Sequence, residues 1–361
     1  MKNKEIFYIN YMKFLGIIYL LIWHTGIQKI NIFVIQFFLQ MFIFISGYFY
    51  KEEYSEKPFT FIKKRISSLY IPYIFYCSIF LILNNIFVSF SIYKENMYIN
   101  PAKFGHHFLQ ILFFHQTQQM AGAMWFVASL FSVSILFLLM SKISITMTSV
   151  GGPFKEHEYS RFFLIISLYL FGNYLAYLKC KLPLLIDISF VLLVFYYLGY
   201  LFKRHEHKIP LNVFFALSSL LTLLLCMKFG FPQIIQRKYV NPSFILLCGV
   251  AGIYLNIYVA SKCPTNTKIM KFINYAGRNT MVILALHFLS FKAVSLFIIY
   301  SQNLPLNLLS SFPVMKTSSQ YYRWMYVVSG LLIPLSVVYL YDTVLLKFNS
   351  LMRGRRTEQI I

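Results

Sequence analysis

Long apolar stretches recur along the whole chain and are separated by short polar connections. About ten of them approach or exceed the roughly 20 residues that a membrane-spanning helix needs. They cover about residues 8–28, 31–50, 66–91, 122–141, 161–178, 183–202, 211–229, 242–260, 280–301 and 322–346. Lipid offers no hydrogen bonds to the backbone, so such stretches must be helical. The pattern predicts an all-α, polytopic membrane helical bundle with about ten transmembrane helices.

The composition supports residence in a membrane. Of the 361 residues, 58% are hydrophobic and 12% are charged, whereas a soluble domain carries about 25% charged residues. A net charge of +22 in a soluble chain would suggest nucleic acid. Here the charges stand in short clusters between apolar stretches, so we expect membrane lipids as partners and no nucleic acid. The five cysteines show no disulfide framework.

The distribution of Lys and Arg predicts the orientation. The N-terminus, the even-numbered connections and the C-terminus carry roughly twice as many of these residues as the odd-numbered connections. Cytoplasmic segments are enriched in Lys and Arg, so both termini are predicted to be cytoplasmic. We expect one transmembrane domain, residues 1–346, followed by a short basic cytoplasmic tail, residues 347–361. The first span is interpreted as a retained helix and not as a cleaved signal peptide.

Ionisable residues inside spans are costly and are therefore candidates for function. Span 1 contains Lys13 and His24. Eleven helical residues amount to about three full turns and about 16 Å along the axis, so both side chains project from one face. Each has a structural alternative, because Lys13 could be an interfacial anchor and His24 a hydrogen-bonded bundle residue. His287 in span 9 could likewise have a functional role or a purely structural one.

Other classes of site find less support. Carboxylates are scarce within the spans, which disfavours a proton-coupled transporter. The chain contains no HExxH, GxSxG or P-loop pattern, so we expect no metal, serine-hydrolase or NTPase chemistry. The basic run Lys63-Lys64-Arg65 opens span 3, where it could bind a phosphorylated anion or serve as a topology anchor.

Two further segments have features that predict a local structure or contact. Ser46 and Gly47 place small residues in span 2, either for close helix packing or for contact with a substrate. The segment HHFLQILFF from His106 to Phe114, followed by His115, is too short to span a membrane. It predicts an interfacial or re-entrant helix on the outer side.

The spans together resemble the bacterial acyltransferase-3 family of membrane acyltransferases from Tyr8 to about Tyr341. The resemblance is carried by YINYMKFLGIIYLLIWH in span 1, FIFISGYF in span 2, FIKKRISSLYIPY at the start of span 3, MWFVASLF in span 4 and FINYAGRNTMVILALHF leading into span 9. The family's basic residue, ten intervening residues and histidine match Lys13 and His24. One departure is Ser68, at a position that is often basic in the family.

The resemblance implies an O-acyltransferase of the bacterial inner membrane, with acetyl-CoA as donor and a surface polysaccharide or its lipid-linked precursor as acceptor. It implies His24 and Lys13 as the catalytic residues. His24 would act as general base, or alternatively form a covalent acyl-histidine, and Lys13 would hold the donor or stabilise its charge. Residues assigned to binding the donor are Arg65, Lys64 and Lys63. Residues assigned to the acceptor are Ser46, Trp125, His115 and His287.

Two alternatives are compatible with the sequence. One is a transporter or flippase of lipid-linked saccharides, which would need no acyl-CoA. The other is a different membrane acyltransferase fold with a His-Asn pair, for which Asn256 in span 8 is a candidate.

Overall fold

The structure is a computed structural model that describes residues 2–27, 30–115, 118–149, 156–264, 267–316 and 319–358, with side chains described from 8 to 344. Within these residues the chain forms helices and no strand, apart from one isolated bridge between Gln233 and Lys238. The predicted all-α class is therefore confirmed.

The longer helices are numbered here in chain order. They are α1 (Lys2–Thr25), α2 (Ile30–Tyr48, with a turn at Gln36–Phe37), α3 (Pro58–Ile82), α4 (Pro101–Leu112), α5 (Trp125–Ser149), α6 (His157–Tyr177), α7 (Ile186–His205), α8 (Val213–Cys226), α9 (Pro242–Lys262), α10 (Lys268–Arg278), α11 (Thr280–Ser301) and α12 (Gln320–Glu358). Short helical turns lie at Glu53–Glu56, Asn84–Ser89, Glu95–Met97, Gln119–Met124, Pro183–Leu185, Glu206–Lys208, Ile234–Gln236 and Leu306–Ser310.

Seven helices of the described chain are long and apolar enough to cross a membrane, namely α2, α3, α5, α7, α9, α11 and α12 with their flanking turns. A multi-pass membrane bundle is thereby confirmed. The other three predicted spans correspond to α1, α6 and α8. α1 and α6 are less apolar because they carry charged and amide side chains, and α8 is shorter because it has only 14 residues. The count of ten spans and the cytoplasmic termini stay predictions.

Local capping explains where several helices begin. The side chains of Asn100, Asn212, Asn241 and Thr267 each accept a hydrogen bond from a backbone N–H of the first turn that follows. Such caps satisfy N–H groups that have no partner within the helix. The first of them starts α4, so a short helix is present where one was predicted at 106–114, but it begins at Pro101 and ends at Leu112. Its place at the membrane interface stays a prediction. The predicted tail 347–361 is helical as far as Glu358, and residues 359–361 lie outside the described part.

Close contact between α2 and α7 organises the centre of the bundle. A Cβ added to Gly47 would lie 1.9 Å from the carbonyl oxygen of Tyr196, and one added to Gly199 would lie 2.0 Å from that of Phe44. Such separations exclude any side chain, so the two glycines let the helix backbones touch. Gly47 therefore serves packing, while its neighbour Ser46 lines a cavity described below.

Candidate active site

Two cavities follow one face of α1. The first, here called the Lys13 cavity, has a volume of about 230 Å³. Its walls come from α1, α2, α3, α5 and α11. Its polar lining residues are Lys13, Ser46, Arg65, Ser68 and Thr280, and its apolar ones are Ile17, Leu20, Phe42, Ile45, Phe49, Leu69, Phe126, Val127, Leu130, Met281 and Leu284.

The second, here called the His24 cavity, has a volume of about 110 Å³. It is lined by Leu20, Trp23, His24, Ile35, Phe38, Leu39, Ala123, Trp125, Phe126, Gln233, Ile234, Ile235 and Gln236. Leu20 and Phe126 line both cavities. The two cavities are therefore neighbours that share an apolar wall.

The α1 residues that line the cavities lie at helical spacing. Lys13, Ile17 and Leu20 face the first cavity, and Leu20, Trp23 and His24 face the second. This is one continuous stripe, in agreement with the shared face predicted for Lys13 and His24. The Lys13 ammonium also lies 5.7 Å from the centroid of the Phe49 ring, within the range of a cation–π contact.

A π-helical turn at Ile66–Tyr70 interrupts α3 directly after Arg65. Such turns widen a helix locally and are frequent at functional sites. The Arg65 guanidinium donates a hydrogen bond of 3.0 Å to the Tyr196 hydroxyl and lies 4.9 Å from the centroid of the Phe61 ring. These contacts orient the cation at the wall of the Lys13 cavity.

The other members of the predicted donor cluster point elsewhere. Lys63 and Lys64 are exposed and do not line the Lys13 cavity. Lys64 Nζ donates a hydrogen bond of 3.1 Å to the Tyr54 hydroxyl. Ser68, where the family often has a basic residue, does line the cavity. The structure therefore brings Arg65 and Lys13, not the whole basic run, to one site.

The four residues predicted to bind the acceptor do not all lie at one site. Trp125 lines the His24 cavity, and His287 packs against His24 with ring centroids 5.2 Å apart. Ser46 lies in the Lys13 cavity instead. His115 is exposed after α4 and lines neither cavity.

Sequence reasoning missed Gln233 and Gln236, which line the His24 cavity from the loop between α8 and α9. An ion pair holds this loop, because Arg237 Nε lies 2.5 Å from Asp187 Oδ2 at the start of α7 and both side chains are largely buried. The loop sequence contains no motif that distinguishes these glutamines from solvated ones. Their position depends on tertiary folding.

A second polar cluster lies away from both cavities. Ligand atoms of Glu52, His157 and Glu158 lie within 4.8 Å of one another, a separation that a metal ion could bridge. However, the buried Arg161 guanidinium donates 2.8 Å and 3.2 Å hydrogen bonds to the two carboxylate oxygens of Glu52 and one of 3.4 Å to Glu158. A cation is thus already supplied by the chain, and the cluster is interpreted as structural.

Asn256, the candidate for a His-Asn pair, forms hydrogen bonds within the helical bundle, so we interpret it as structural. Its side chain accepts a 2.9 Å hydrogen bond from the Tyr19 hydroxyl and donates one of 2.8 Å to the Gly252 carbonyl oxygen. It lines neither of the two cavities.

The helical bundle and the stripe that joins a cation cavity to a histidine cavity define a polytopic membrane protein with an internal site. The family described as "Acyltransferase domain", acyltransferase family 3, matches residues 6–342, nearly the whole chain. The chain belongs to this family and is a membrane acyltransferase. No curated protein and no solved structure matches the chain.

Proposed function

We propose that the protein is an O-acyltransferase of the bacterial inner membrane. It moves an acetyl or other short acyl group from cytoplasmic acyl-CoA to a hydroxyl of a surface polysaccharide, such as O-antigen, capsule or exopolysaccharide, or of its lipid-linked precursor. The observation that carries this proposal is the α1 stripe, which places Lys13 and His24 in adjoining cavities on one helix face.

The Lys13 cavity suits the acyl donor. It lies at the end of α1 that is predicted to face the cytoplasm, where acyl-CoA is made. Arg65 and Lys13 provide two cations for the phosphates of the donor, and guanidinium groups suit phosphate recognition. The apolar side chains beyond them suit the pantetheine arm, which would run along α1 toward Leu20 and Phe126.

The His24 cavity suits the acceptor. Its Gln233 and Gln236 come from a loop predicted to face outward, and Trp23 and Trp125 add aromatic surface. A pocket of apolar surface with a few convergent polar groups is typical of small-molecule sites. Amide groups can pair with sugar hydroxyls as donors and as acceptors.

In the proposed reaction, neutral His24 takes the proton from the acceptor hydroxyl. The oxygen attacks the thioester carbonyl carbon, a C–O bond forms and the C–S bond breaks. The CoA sulfur leaves with the electron pair and receives the proton that His24 took. The products are an O-acyl ester and CoA thiol, and His24 returns to its neutral form.

The direct test uses purified full-length protein in lipid nanodiscs with acetyl-CoA labelled in the acetyl group and a polysaccharide acceptor. We expect label in alkali-labile esters on the glycan together with release of CoA thiol. A protein that moves lipid-linked saccharides without consuming acyl-CoA would overturn the proposal in favour of the flippase. Loss of ester-linked acyl groups from surface glycan in cells lacking the protein is the matching test in vivo.

Removal of the Arg65 guanidinium should weaken donor binding. A hydrogen bond to a charged group contributes about 1.5–3 kcal/mol, so Arg65→Ala is expected to reduce acyl-CoA affinity roughly 10- to 100-fold. Isothermal titration calorimetry on the purified protein measures this change.

Lys63→Ala is the matched control, since Lys63 belongs to the same basic run but does not line the cavity. Its affinity should stay within about twofold of the wild type. Equal losses in the two variants would mean that the run acts through general charge and not through a defined contact.

Gln233→Ala should act on the acceptor instead of the donor. Loss of one neutral hydrogen bond costs about 0.5–1.5 kcal/mol, so the acceptor KM is expected to rise roughly two- to tenfold while the KM for acyl-CoA stays constant. Lys238→Ala in the same loop, outside the cavity, should leave both values unchanged. An unaltered acceptor KM in Gln233→Ala would remove this loop from the acceptor site.

A further inference from the structure

His287 lies beside His24 where α1 and α11 meet. The planes of the two rings are inclined by 33° and their centroids are 5.2 Å apart. The ring of Phe288 packs against both, with centroid distances of 4.6 Å to His24 and 4.0 Å to His287. The His287 side chain is fully buried, so its polar atoms must find partners inside the protein.

The backbone of α11 determines which nitrogen of His287 carries the proton. Nδ1 lies 2.9 Å from the carbonyl oxygen of Leu284. A carbonyl oxygen only accepts hydrogen bonds, so Nδ1 is the N–H donor and Nε2 of the neutral ring presents a lone pair. Because Nδ1 is turned back to its own helix, Nε2 on the far side of the ring is turned away from that helix.

Nε2 of His287 has no hydrogen-bond partner among the described residues. A buried acceptor in this state is unfavourable, and native structures rarely keep one without a reason. Two imidazole rings that share an N–H···N bond of about 3 Å have centroids roughly 5 Å apart. The observed 5.2 Å is in this range. The two rings share no hydrogen bond in the structure, but catalytic hydrogen bonds commonly form or tighten only when substrate binds.

We propose that His287 is a positioning residue for His24, whose N–H donates a hydrogen bond to Nε2 of His287. The bond holds the second nitrogen of His24, with its lone pair, toward the His24 cavity. When His24 takes the acceptor proton, His287 stabilises the resulting imidazolium. This role is the one that a carboxylate plays in a Ser-His-Asp triad, and it rests on the function proposed above.

The test compares three substitutions at His287 in acyl transfer by the full-length protein. His287→Phe keeps the ring shape and removes the acceptor. His287→Gln places an amide oxygen near the position of Nε2, whereas His287→Asn places its oxygen near Nδ1. We expect kcat to fall about 10- to 100-fold in the Phe and Asn variants, the range found when the orienting partner of a metal-bound histidine is removed. The Gln variant should recover much of that loss, with both KM values unchanged throughout.

A second readout is independent of activity. In protein labelled with ¹⁵N-histidine, the imidazole shifts of His24, assigned with a His24→Asn variant, should show one tautomer in the wild type and His287→Gln. They should show a mixture of tautomers in His287→Phe.

Equal losses in the Gln and Phe variants, or an effect confined to the acceptor KM, would overturn the proposal. So would a wild-type kcat in the Phe variant. A wild type that does not consume acyl-CoA would instead contradict the proposed function. In that case the ¹⁵N shifts would still decide whether His287 orients His24.

Discussion

His24→Ala is expected to abolish acyl transfer while leaving the protein folded. General-base catalysis contributes about 10²–10⁴ to the rate. Among the residues that the structure describes, no carboxylate lines the His24 cavity to replace the imidazole. We expect kcat to fall by that factor and the affinity for acyl-CoA to stay unchanged, because Lys13 and Arg65 line the other cavity. Steady-state transfer kinetics and calorimetric binding measure the two quantities separately.

A control variant and two substitutions of Lys13 test whether the effect is specific to His24. His207→Ala removes an exposed histidine that lines neither cavity and should leave kcat unchanged. Lys13→Ala should impair transfer severely, whereas Lys13→Arg should be milder because it keeps a cation in the donor cavity. A well-folded His24→Ala protein with a near-normal rate would mean that His24 is a structural histidine.

Arg161→Met is expected to cause the largest loss of stability. The guanidinium is fully buried, bridges Glu52 and Glu158, and lies 5.1 Å from the centroid of the Tyr200 ring. Methionine keeps apolar volume but leaves the Glu52 carboxylate without its cation, whereas Glu158 still pairs with Arg204. Removal of one partner from a buried ion pair costs about 3–5 kcal/mol, and the partial exposure of Glu52 places our expectation near the lower end. Unfolding in mixed micelles measures the change.

Arg204→Met is the matched control. Arg204 also bonds to Glu158, but half of its side chain is exposed, and an exposed ion pair contributes about 0–1 kcal/mol. Losses of equal size in the two variants would contradict the special role of the buried guanidinium.

The same cluster predicts a pH dependence. Burial alone would raise the pKa of Glu52, but the hydrogen bonds from Arg161 and Tyr200 and the charge of Arg161 outweigh it and hold the pKa below its ordinary value of 4.5. The stability that this carboxylate contributes is present above pH 4.5 and is lost as the pH falls through the lowered pKa. A Glu52→Gln protein should therefore lose less stability on acidification than the wild type.

The shared face of Lys13 and His24 was predictable because helical periodicity is a local property of the backbone. For the same reason the apolar stretches were sufficient to predict the all-α membrane class. Of the basic run before span 3, only Arg65 lines the Lys13 cavity. Which of its members enters the cavity was not predictable, because a π-helical turn and the contact with Tyr196 orient Arg65.

The sequence by itself determined the class of protein, the stripe on the first helix and the family motifs, all of which depend on residues close together in the chain. The tertiary structure alone decided that His287 lies against His24, that the loop with Gln233 covers the same cavity and that Ser46 belongs to the other one. These neighbours come from helices and a loop that are separated along the chain. Their contacts follow from how side-chain shapes interlock across the whole bundle, and no local pattern encodes that arrangement.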